Sequence, residues 1–429
     1  MALLVQKYGG TSVRDPERIR AVARRVAQAR RRGDQIIVVV SAMGHTTDEL
    51  TALAAEVTGR GRPQDEHPRE MDMLLTAGER IASALLTMAI REQGFEARSF
   101  TGSQAAIITD TAHTAARIRE VKGGRVREAL EAGCIAIVAG FQGVSTEKEI
   151  TTLGRGGSDT TAVALAAALR ADVCEIYTDV DGVFTADPRR VPSARVIREM
   201  THAEMLEMAA SGAQVMHGRA VDIGDRFDVD IRVLSSFVDD EPGGAPRGTL
   251  ITKRKRKMED LVLTGVAPKD GQAKVVLRGL APGMRTQTVL LEALAGAGVS
   301  VDMVNESFEG DGRMQLHLTV TEETVGRAES VLRAELEKLG GGHLAVHTGL
   351  SRIAIVGNGM EGRPGVYARA YRALLDAGVE VQGVSTSAIS ITVLVPTPRE
   401  TEAVQALHSA FRLDRDPAAE DVAERDLQY

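Results

Sequence analysis

The feature that most constrains the fold is a glycine-rich stretch at Thr151–Thr161, with the sequence Thr-Thr-Leu-Gly-Arg-Gly-Gly-Ser-Asp-Thr-Thr. An apolar run predicted as a strand (Cys134–Ala139) precedes it, and an alanine-rich segment predicted as a helix follows. Glycines lack Cβ atoms, so the backbone can turn sharply and approach an anion. Ser158 or Asp159 can cap the helix, and Arg155 adds a forked donor suited to a carboxylate or phosphate. An ordinary glycine turn before a helix is the alternative interpretation.

Length and composition favour a large α/β protein. At 429 residues the chain can hold two or three domains. Only 3% of its residues are aromatic, so the core must consist of Ala, Val, Leu and Ile, which suits strands alternating with helices. The net charge of −7 argues against a nucleic-acid partner. Cys134 and Cys174 lie in apolar runs and are expected to be reduced in a cytoplasmic protein, and no apolar run approaches the ~18 residues of a membrane span.

The N-terminal region has a second strand–glycine turn–helix pattern. Ala2–Gln6 is a predicted buried strand that runs into Lys7-Tyr8-Gly9-Gly10, and a predicted helix, Pro16–Arg31, follows. This layout presents backbone N–H groups to phosphate, although it matches neither a Walker A loop nor a dinucleotide-binding fingerprint. Lys7 is either a solvated lysine at a strand end or a phosphate ligand, and the adjacent glycines favour the second interpretation.

Two further stretches contribute candidate pocket residues. A predicted strand, Gln35–Val40, precedes Ser41 and Thr47, which either cap a helix or line a pocket at the carboxyl ends of the strands. Glu79 lies within a predicted long helix, Met71–Glu92, and is either a surface charge or a pocket acid.

A fourth stretch ends in an acidic turn. The run Ala171–Phe184 predicts a strand that finishes in Thr178-Asp179-Val180-Asp181-Gly182, and Thr185–Arg189 follows. A simple acidic turn is one interpretation. Beside a phosphate site, such carboxylates need a cation, either lysine or Mg²⁺.

The last third of the chain repeats itself. Leu294–Val301 is echoed by Leu374–Val381, which sets a period of 80 residues, and each copy is predicted as strand, helix, strand, strand, helix. Two copies indicate two small α+β modules. A linker-like stretch, Asp239–Gly248, lies ahead of them. The expected domains are therefore a first domain over 1–250, modules over 262–340 and 345–415, and a loose tail over 416–429.

Together these motifs resemble the aspartate kinase family over nearly the whole chain. Lys7–Ser12, Thr152–Asp159 and Thr178–Gly182 with Asp187-Pro188-Arg189 are similar to its three signatures. The fold implied is a three-layer α/β/α sandwich of the amino-acid-kinase type followed by two βαββαβ ACT modules. The implied reaction transfers the γ-phosphoryl of ATP, with Mg²⁺, to the β-carboxylate of L-aspartate. A carboxylate is ionised at neutral pH, so the site needs charge neutralisation rather than a general base.

The resemblance also implies roles for individual residues. Lys7 and Asp159 are the implied catalytic pair, with Asp159 orienting Lys7. Arg155 would grip the α-carboxylate of aspartate and Glu79 its ammonium. The implied substrate contacts are Ser41, Thr47, Glu79, Arg155, Gly156, Gly157 and Ser158. The implied ATP contacts are Lys7, Tyr8, Gly9, Gly10, Thr178, Asp179, Phe184, Thr185, Ala186, Asp187, Pro188, Arg189 and Gln214. The implied effector contacts are Asp302, Met303, Val304, Glu306, Ser385 and Thr386.

The chain departs from the family pattern at several positions, and regulation stays open. Gln214 stands where a basic residue is common, Gly218 where proline is common, Leu234 where arginine is common and Ala388 where an acidic residue is common. Lysine, threonine or both are the expected effectors. The chain is expected to form a homo-oligomer or to assemble with a regulatory chain started separately near Met258. The rival interpretations are a kinase for glutamate or acetylglutamate and a non-catalytic amino-acid sensor.

Overall fold

The computed structural model describes residues 1–213, 215–238, 247–253, 262–310, 312–358, 360 and 365–415. Gln214, Met258 and the tail predicted over 416–429 lie outside this part of the chain. The chain divides into two compact units. The first comprises Met1–Phe184, Val196–Ala210 and Gln214–Lys257, and the second comprises Thr185–Arg195, Ser211–Ala213 and Met258–Tyr429.

The first unit is built on an eight-stranded sheet with the strand order β10-β12-β11-β9-β1-β2-β6-β3. The six strands from β11 to β3 run parallel, and β12 is antiparallel to β11. Apolar runs such as Ile36–Val40 are buried because helices cover both faces of a parallel sheet. The strands of this unit are β1 (Leu3–Tyr8), β2 (Gln35–Val40), β3 (Ala97–Phe100), β4 (Ile107–Thr109), β5 (Ile118–Val121), β6 (Ile135–Ala139), β7 (Gln142–Ser145), β8 (Ile150–Thr152), β9 (Val173–Thr178), β10 (Glu199–Met200), β11 (Ile231–Ser235) and β12 (Thr249–Ile251).

Helices surround this sheet. The long helix α4 (Pro68–Arg91) is apolar enough to pass a length-and-composition test for a membrane span, but core helices of soluble proteins pass the same test. Its residues Ala82, Leu86 and Ile90 belong to the buried core around the sheet, which is the placement of a core helix. The helices are α1 (Pro16–Arg31), α2 (Thr46–Thr58), α3 (Pro63–Glu66), α4 (Pro68–Arg91), α5 (Gly124–Glu131), α6 (Gly157–Leu169), α7 (His202–Ala210) and α8 (Gly218–Phe227).

Two strands of a small second sheet lie between β6 and α6 in the chain. The sequence did not predict this sheet. The strands β7 and β8 form a hairpin that joins β4 and β5 in a four-stranded sheet with the order β5-β4-β7-β8. The glycine-rich stretch therefore leaves this small sheet, rather than β6, before it enters α6. Short strands such as Ile150–Thr152 carry too little periodicity to be found from sequence.

The prediction that Ser158 or Asp159 caps α6 is wrong. The helix begins at Gly157, and its N-cap is Gly156, which has a φ of +67° and makes no side-chain cap hydrogen bond. Glycine adopts this left-handed conformation without steric cost, so the helix starts earlier than the alanine-rich run indicates. Ser158 and Asp159 consequently lie in the first turn of α6, where their side chains are available to the site.

The second unit contains a six-stranded antiparallel sheet with the strand order β14-β15-β13-β16-β18-β17. Its helices and strands are β13 (Val262–Leu280), α9 (Met284–Gly296), β14 (Val304–Phe308), β15 (Met314–Thr321), α10 (Glu322–Lys338), β16 (His343–Asn358), α11 (Val366–Asp376), β17 (Gly383–Thr386), β18 (Ser390–Pro396) and α12 (Glu400–Ala410). The order strand, helix, strand, strand, helix occurs twice.

Two hydrophobic cores fill this unit, and each takes a strand segment from the range predicted for the other module. Val266 packs in the core formed mainly by residues from Ile353 onward, and Val346 packs against the core formed mainly by residues up to Leu336. The long strands β13 and β16, which pair along most of their length, make this exchange. The contiguous ranges 262–340 and 345–415 stay a prediction from sequence.

Candidate functional site

The predicted turns of the first unit converge at one edge of its sheet. Because β1, β2, β6 and β9 are parallel, the segments that follow them emerge on the same side. Backbone hydrogen bonds tie each segment to the end of a neighbouring strand. They run from Gly9 N to the Tyr177 carbonyl (3.4 Å), from Ser41 N to the Tyr8 carbonyl (3.1 Å) and from Gly140 N to the Val40 carbonyl (2.9 Å).

Lys7 and Asp159 form an ion pair at this edge. Lys7 Nζ lies 2.7 Å from Asp159 Oδ1, and the two side chains are 12% and 13% exposed. Lys7 comes from the end of β1, and Asp159 comes from the first turn of α6. A Cβ atom on Gly9 would lie 3.4 Å from Lys7 Nζ, so glycine keeps the space beside the ammonium open. The pair therefore places a cation next to the first predicted phosphate turn and the positive end of a helix.

Glu79 is a buried acid rather than a surface charge. It is 3% exposed, and its Oε1 accepts a hydrogen bond from Ala42 N at 3.2 Å. Its Oε2 is buried and has no hydrogen-bond partner among the residues that the structure describes. Burial raises the pKa of this carboxyl to about 7. A buried carboxylate with one unused oxygen is suited to receive a cationic group.

Arg155 stands in the glycine turn, which we define as Gly154–Gly157. Gly154 and Gly156 have φ values of +73° and +67°, so both adopt a backbone conformation that L side chains rarely take. The Arg155 side chain is exposed, and no ion pair or hydrogen bond of its guanidinium occurs with the part of the chain that the structure describes. It is available to bind a carboxylate with both arms of its fork.

Three hydroxyl residues lie around these charged groups. Ser158 is 7% exposed, and a Cβ atom on Gly140 would lie 2.7 Å from its Oγ. Ser41 follows β2 directly, and Thr47 is half-buried in the first turn of α2. Ser41 therefore lies at the carboxyl edge of the sheet, and Ser158 and Thr47 lie in the first turns of the helices α6 and α2.

The sequence missed three positions that shape this site. Ala42 supplies the N–H bonded to Glu79. Gly78 lets α4 approach this loop, because a Cβ atom there would lie 2.7 Å from the Ala42 Cβ, and Gly140 leaves space for Ser158. Gly140 could have been predicted as a site residue, because it directly follows a buried apolar strand. Nothing in the local sequence marks Ala42 or Gly78.

The residues predicted to bind the nucleotide differ in how exposed they are. Tyr8 is fully buried and stacks on Tyr177 with ring centroids 4.7 Å apart, so its side chain packs inside the unit. Thr178 Oγ1 donates to Asp179 Oδ1 at 3.1 Å, and Asp179 is exposed just past the end of β9. Phe184 is half-buried.

Thr185–Arg189 belongs to the second unit. Thr185 is buried, with its Oγ1 3.0 Å from His408 Nε2, and Ala186 lies in a hydrophobic core of that unit. Asp187 accepts hydrogen bonds from Arg189, whose side chain is 89% exposed, and this contact lowers the pKa of the Asp187 carboxyl. Pro188 is exposed between them. The nucleotide roles of this segment remain predictions.

The predicted effector residues lie at opposite edges of the six-stranded sheet. Val304 and Glu306 are on the edge strand β14, whereas Ser385 and Thr386 are on the other edge strand, β17. The structure does not bring the two groups together within one chain.

The residues that precede β14 are already engaged in the second unit. The Asp302 carboxylate pairs with the Arg352 guanidinium, which also donates to Ser211 Oγ at 2.9 Å. Met303 is buried. An effector at Asp302 would therefore meet a carboxylate that already has a cationic partner.

Comparison with known proteins decides the family. The model of the amino acid kinase family matches residues 2–235, and an ACT domain model matches residues 353–411. The aspartokinase of Mycolicibacterium smegmatis is 49% identical over 424 residues, covering 98% of both chains. The chain belongs to the aspartokinase family. The aspartokinase of Corynebacterium glutamicum is 47% identical over 96% of this chain and 97% of its own.

Solved structures of the family support the same conclusion. The fold matches E. coli aspartokinase III in complex with aspartate and ADP, with a TM-score of 0.76, 27% identity and coverage of 95% of this chain and 99% of that one. An aspartate kinase from Synechocystis is 39% identical with a TM-score of 0.52, covering 98% of this chain and 71% of that one. The chain therefore has the amino-acid-kinase fold with a C-terminal ACT domain, as its motifs predicted.

Proposed function

We propose that this aspartokinase uses Lys7, Glu79 and Arg155 to align L-aspartate with the γ-phosphoryl of ATP. The observation that carries the proposal is the unused oxygen of the buried Glu79, at the sheet edge that also holds the Lys7–Asp159 pair. An α-amino acid offers an ammonium and a carboxylate on one carbon. Glu79 supplies an anionic contact for the first group, and Arg155 supplies a cationic contact for the second.

The transfer step needs little from the protein beyond position and charge. An oxygen of the aspartate β-carboxylate forms a bond to the γ-phosphorus while the bond to the β,γ-bridging oxygen breaks, giving 4-phospho-L-aspartate and ADP. The attacking carboxylate is already ionised, so no proton has to be removed. Lys7 offsets the charge on the transferring phosphoryl, and Asp159 holds the Lys7 ammonium at 2.7 Å. Ser41, Thr47 and Ser158 complete the pocket around the amino acid.

The nucleotide-side proposal rests on the ends of β1 and β9. Gly9 and Gly10 approach the phosphates through their backbone, and Thr178 and Asp179 stand at the neighbouring strand end. Among the described residues no three His, Cys, Asp or Glu side chains converge on a metal position. Mg²⁺ would be held mainly by the phosphates and by water, as is usual for this ion, with Asp179 at the end of β9 as a candidate side chain.

A hydroxylamine-trapping assay tests the activity. With aspartate and Mg-ATP the chain should form the acyl phosphate, which hydroxylamine converts to a coloured hydroxamate. A kinase for glutamate or acetylglutamate would prefer those substrates, and acetylglutamate has no free ammonium for Glu79. A non-catalytic sensor would give no hydroxamate with any of the three, and either result would end the proposal.

We further propose that the second unit carries regulation and assembly. E. coli aspartokinase III has also been solved with lysine and aspartate, and this chain matches that structure with a TM-score of 0.70 at 27% identity. We propose lysine, threonine or both as effectors at the ACT modules and an oligomer formed through the edges β14 and β17. We place the enzyme in the cytoplasm, at the entry to lysine, threonine and methionine synthesis. Titrating activity with each amino acid, alone and paired, tests the effector assignment.

A further inference from the structure

We propose that Asp72 and Arg219 are positioning residues that fix the glycine turn and so set the spacing between Arg155 and Glu79. This inference rests on the proposed roles of Arg155 and Glu79 in binding the amino acid. Neither Asp72 nor Arg219 belongs to a motif of the sequence, and neither is needed for the transfer step itself.

Asp72 is a buried carboxylate surrounded by donors. It is 0% exposed, and it accepts hydrogen bonds from Thr152 Oγ1 at 2.5 Å and from Thr114 N at 3.1 Å. His113 Nδ1 lies 2.7 Å from its second oxygen. A carboxylate accepts at both oxygens, so Asp72 receives the Thr152 and Thr114 donors together and can also accept from His113 Nδ1. Asp72 thereby fastens two segments, the loop at Thr114 and the strand that enters the glycine turn.

Arg219 fastens the same two segments through two further hydrogen bonds. Its guanidinium donates to the Leu153 carbonyl at 2.7 Å and to the Ala116 carbonyl at 2.6 Å. The segments also bond to each other, because Ala116 N donates to the Thr152 carbonyl at 2.9 Å. Leu153 immediately precedes the glycine turn, and the two hydrogen bonds of the Arg219 fork define its direction as well as its position.

The glycine turn is closely packed, because Cβ atoms on Gly156 and Gly157 would clash with His217 and Phe141. A Cβ atom on Gly154 would lie 3.1 Å from the Thr114 carbonyl, so the turn rests directly on the loop that Asp72 fastens. Glycines bring flexibility that the fold must remove to aim Arg155 reproducibly. The fastening by Asp72 and Arg219 does this without touching the substrate.

The helix α4 carries both Asp72 and Glu79. Asp72 and Glu79 are seven residues apart on α4, which is close to two turns and about 10 Å along its axis. Both side chains are buried, so they lie on the same inward face of the helix. One rigid element thus carries the proposed ammonium contact and also anchors the turn that carries the proposed α-carboxylate contact.

The test measures kcat/KM for aspartate and KM for ATP in Asp72→Asn. Asparagine keeps the size of the side chain but directs an amide N–H₂ group at one of the donors. The glycine turn is therefore held less firmly. We expect a fall of about tenfold or more in kcat/KM for aspartate with KM for ATP changed by less than about twofold. The matched control is Glu70→Gln, an exposed acid on the same helix, which should behave as the parent protein.

The decisive comparison repeats Asp72→Asn in an Arg155→Ala background. If Asp72 acts through Arg155, adding Asp72→Asn to the Arg155→Ala variant should change kcat/KM for aspartate by less than about twofold. An equal fall in both backgrounds, or a matching rise in KM for ATP, would overturn the inference. If Arg155→Ala alone leaves kcat/KM for aspartate unchanged, the proposed function fails instead, so the two failures are distinguishable.

Arg219 provides a second route that does not depend on the folding of the Asp72 variant. Arg219→Met removes both carbonyl contacts, whereas Arg219→Lys can keep one, so the lysine variant should recover part of the lost kcat/KM for aspartate. The control is Arg226→Met, at a side chain 70% exposed on the same helix. Equal losses in the Met and Lys variants, or no loss in either, would contradict a positioning role.

Discussion

The burial of Glu79 leads to a prediction about stability that is independent of any activity assay. Burial raises the pKa of this carboxyl from 4.5 to about 7. The folded protein therefore holds a proton on Glu79 over a pH range in which the unfolded chain has released it. The stability that this raised pKa brings is present below pH 4.5 and is lost as the pH rises through 7, because folding then has to bury a charge.

The size of the effect follows from the shift. A difference of about 2.5 pKa units at about 1.4 kcal/mol per unit is about 3 kcal/mol at pH 8, where Glu79 is ionised in both states. At pH 5.5 the same linkage gives only about 1 kcal/mol, because only the unfolded chain has released the proton. Glu79→Gln removes the charge and keeps an oxygen for Ala42 N.

We therefore expect the Gln variant of the ligand-free protein to be more stable than the parent. The gain should approach about 3 kcal/mol at pH 8 and shrink to about 1 kcal/mol at pH 5.5. Thermal and urea unfolding followed by circular dichroism at the two pH values measure it, and Glu70→Gln serves as the exposed control on α4. A Gln variant that is no more stable than the parent at pH 8, or a gain that does not depend on pH, would refute the reasoning.

Three further predictions concern activity. Lys7→Met should lower kcat by at least about a hundredfold, because the transferring phosphoryl loses its cation; this is measured at saturating substrates. With saturating Mg-ATP, kcat/KM for aspartate should fall about tenfold from pH 8 to pH 6 as Glu79 takes up a proton, and Glu79→Gln should remove this dependence. Gly140→Ala should lower both Tm and aspartate affinity, because its Cβ would lie 2.7 Å from Ser158 Oγ, whereas Gly124→Ala, with nothing within 4 Å, should be neutral.

Much of the first unit could be predicted because its signals are local. Apolar runs such as Gln35–Val40 mark buried parallel strands, and the glycines after them mark turns at one edge of the sheet. The order of those turns along the chain was specific enough to identify the family. The candidate site residues Lys7 and Arg155 follow from the same turns, and the role of Glu79 follows from the resemblance.

What the sequence did not show depends on contacts between distant segments. The capping of α6 was misjudged because Gly156 takes a left-handed conformation that composition does not reveal. Asp72 gave no signal, since its role depends on donors from residues 113, 114 and 152, brought to it only by the fold. The strand exchange between the two cores of the second unit also escaped prediction, because strands as long as β13 and β16 are indistinguishable in sequence from two short strands joined end to end.

A crystal structure of the chain with aspartate, ADP and Mg²⁺ tests the central claim most directly. The account predicts the substrate ammonium within hydrogen-bond distance of Glu79 Oε2, the α-carboxylate on the Arg155 fork, and the β-carboxylate facing the Lys7 ammonium across the phosphoryl position. Aspartate bound away from Glu79, or held with its α-carboxylate on another cation while Arg155 stays in solvent, would contradict it.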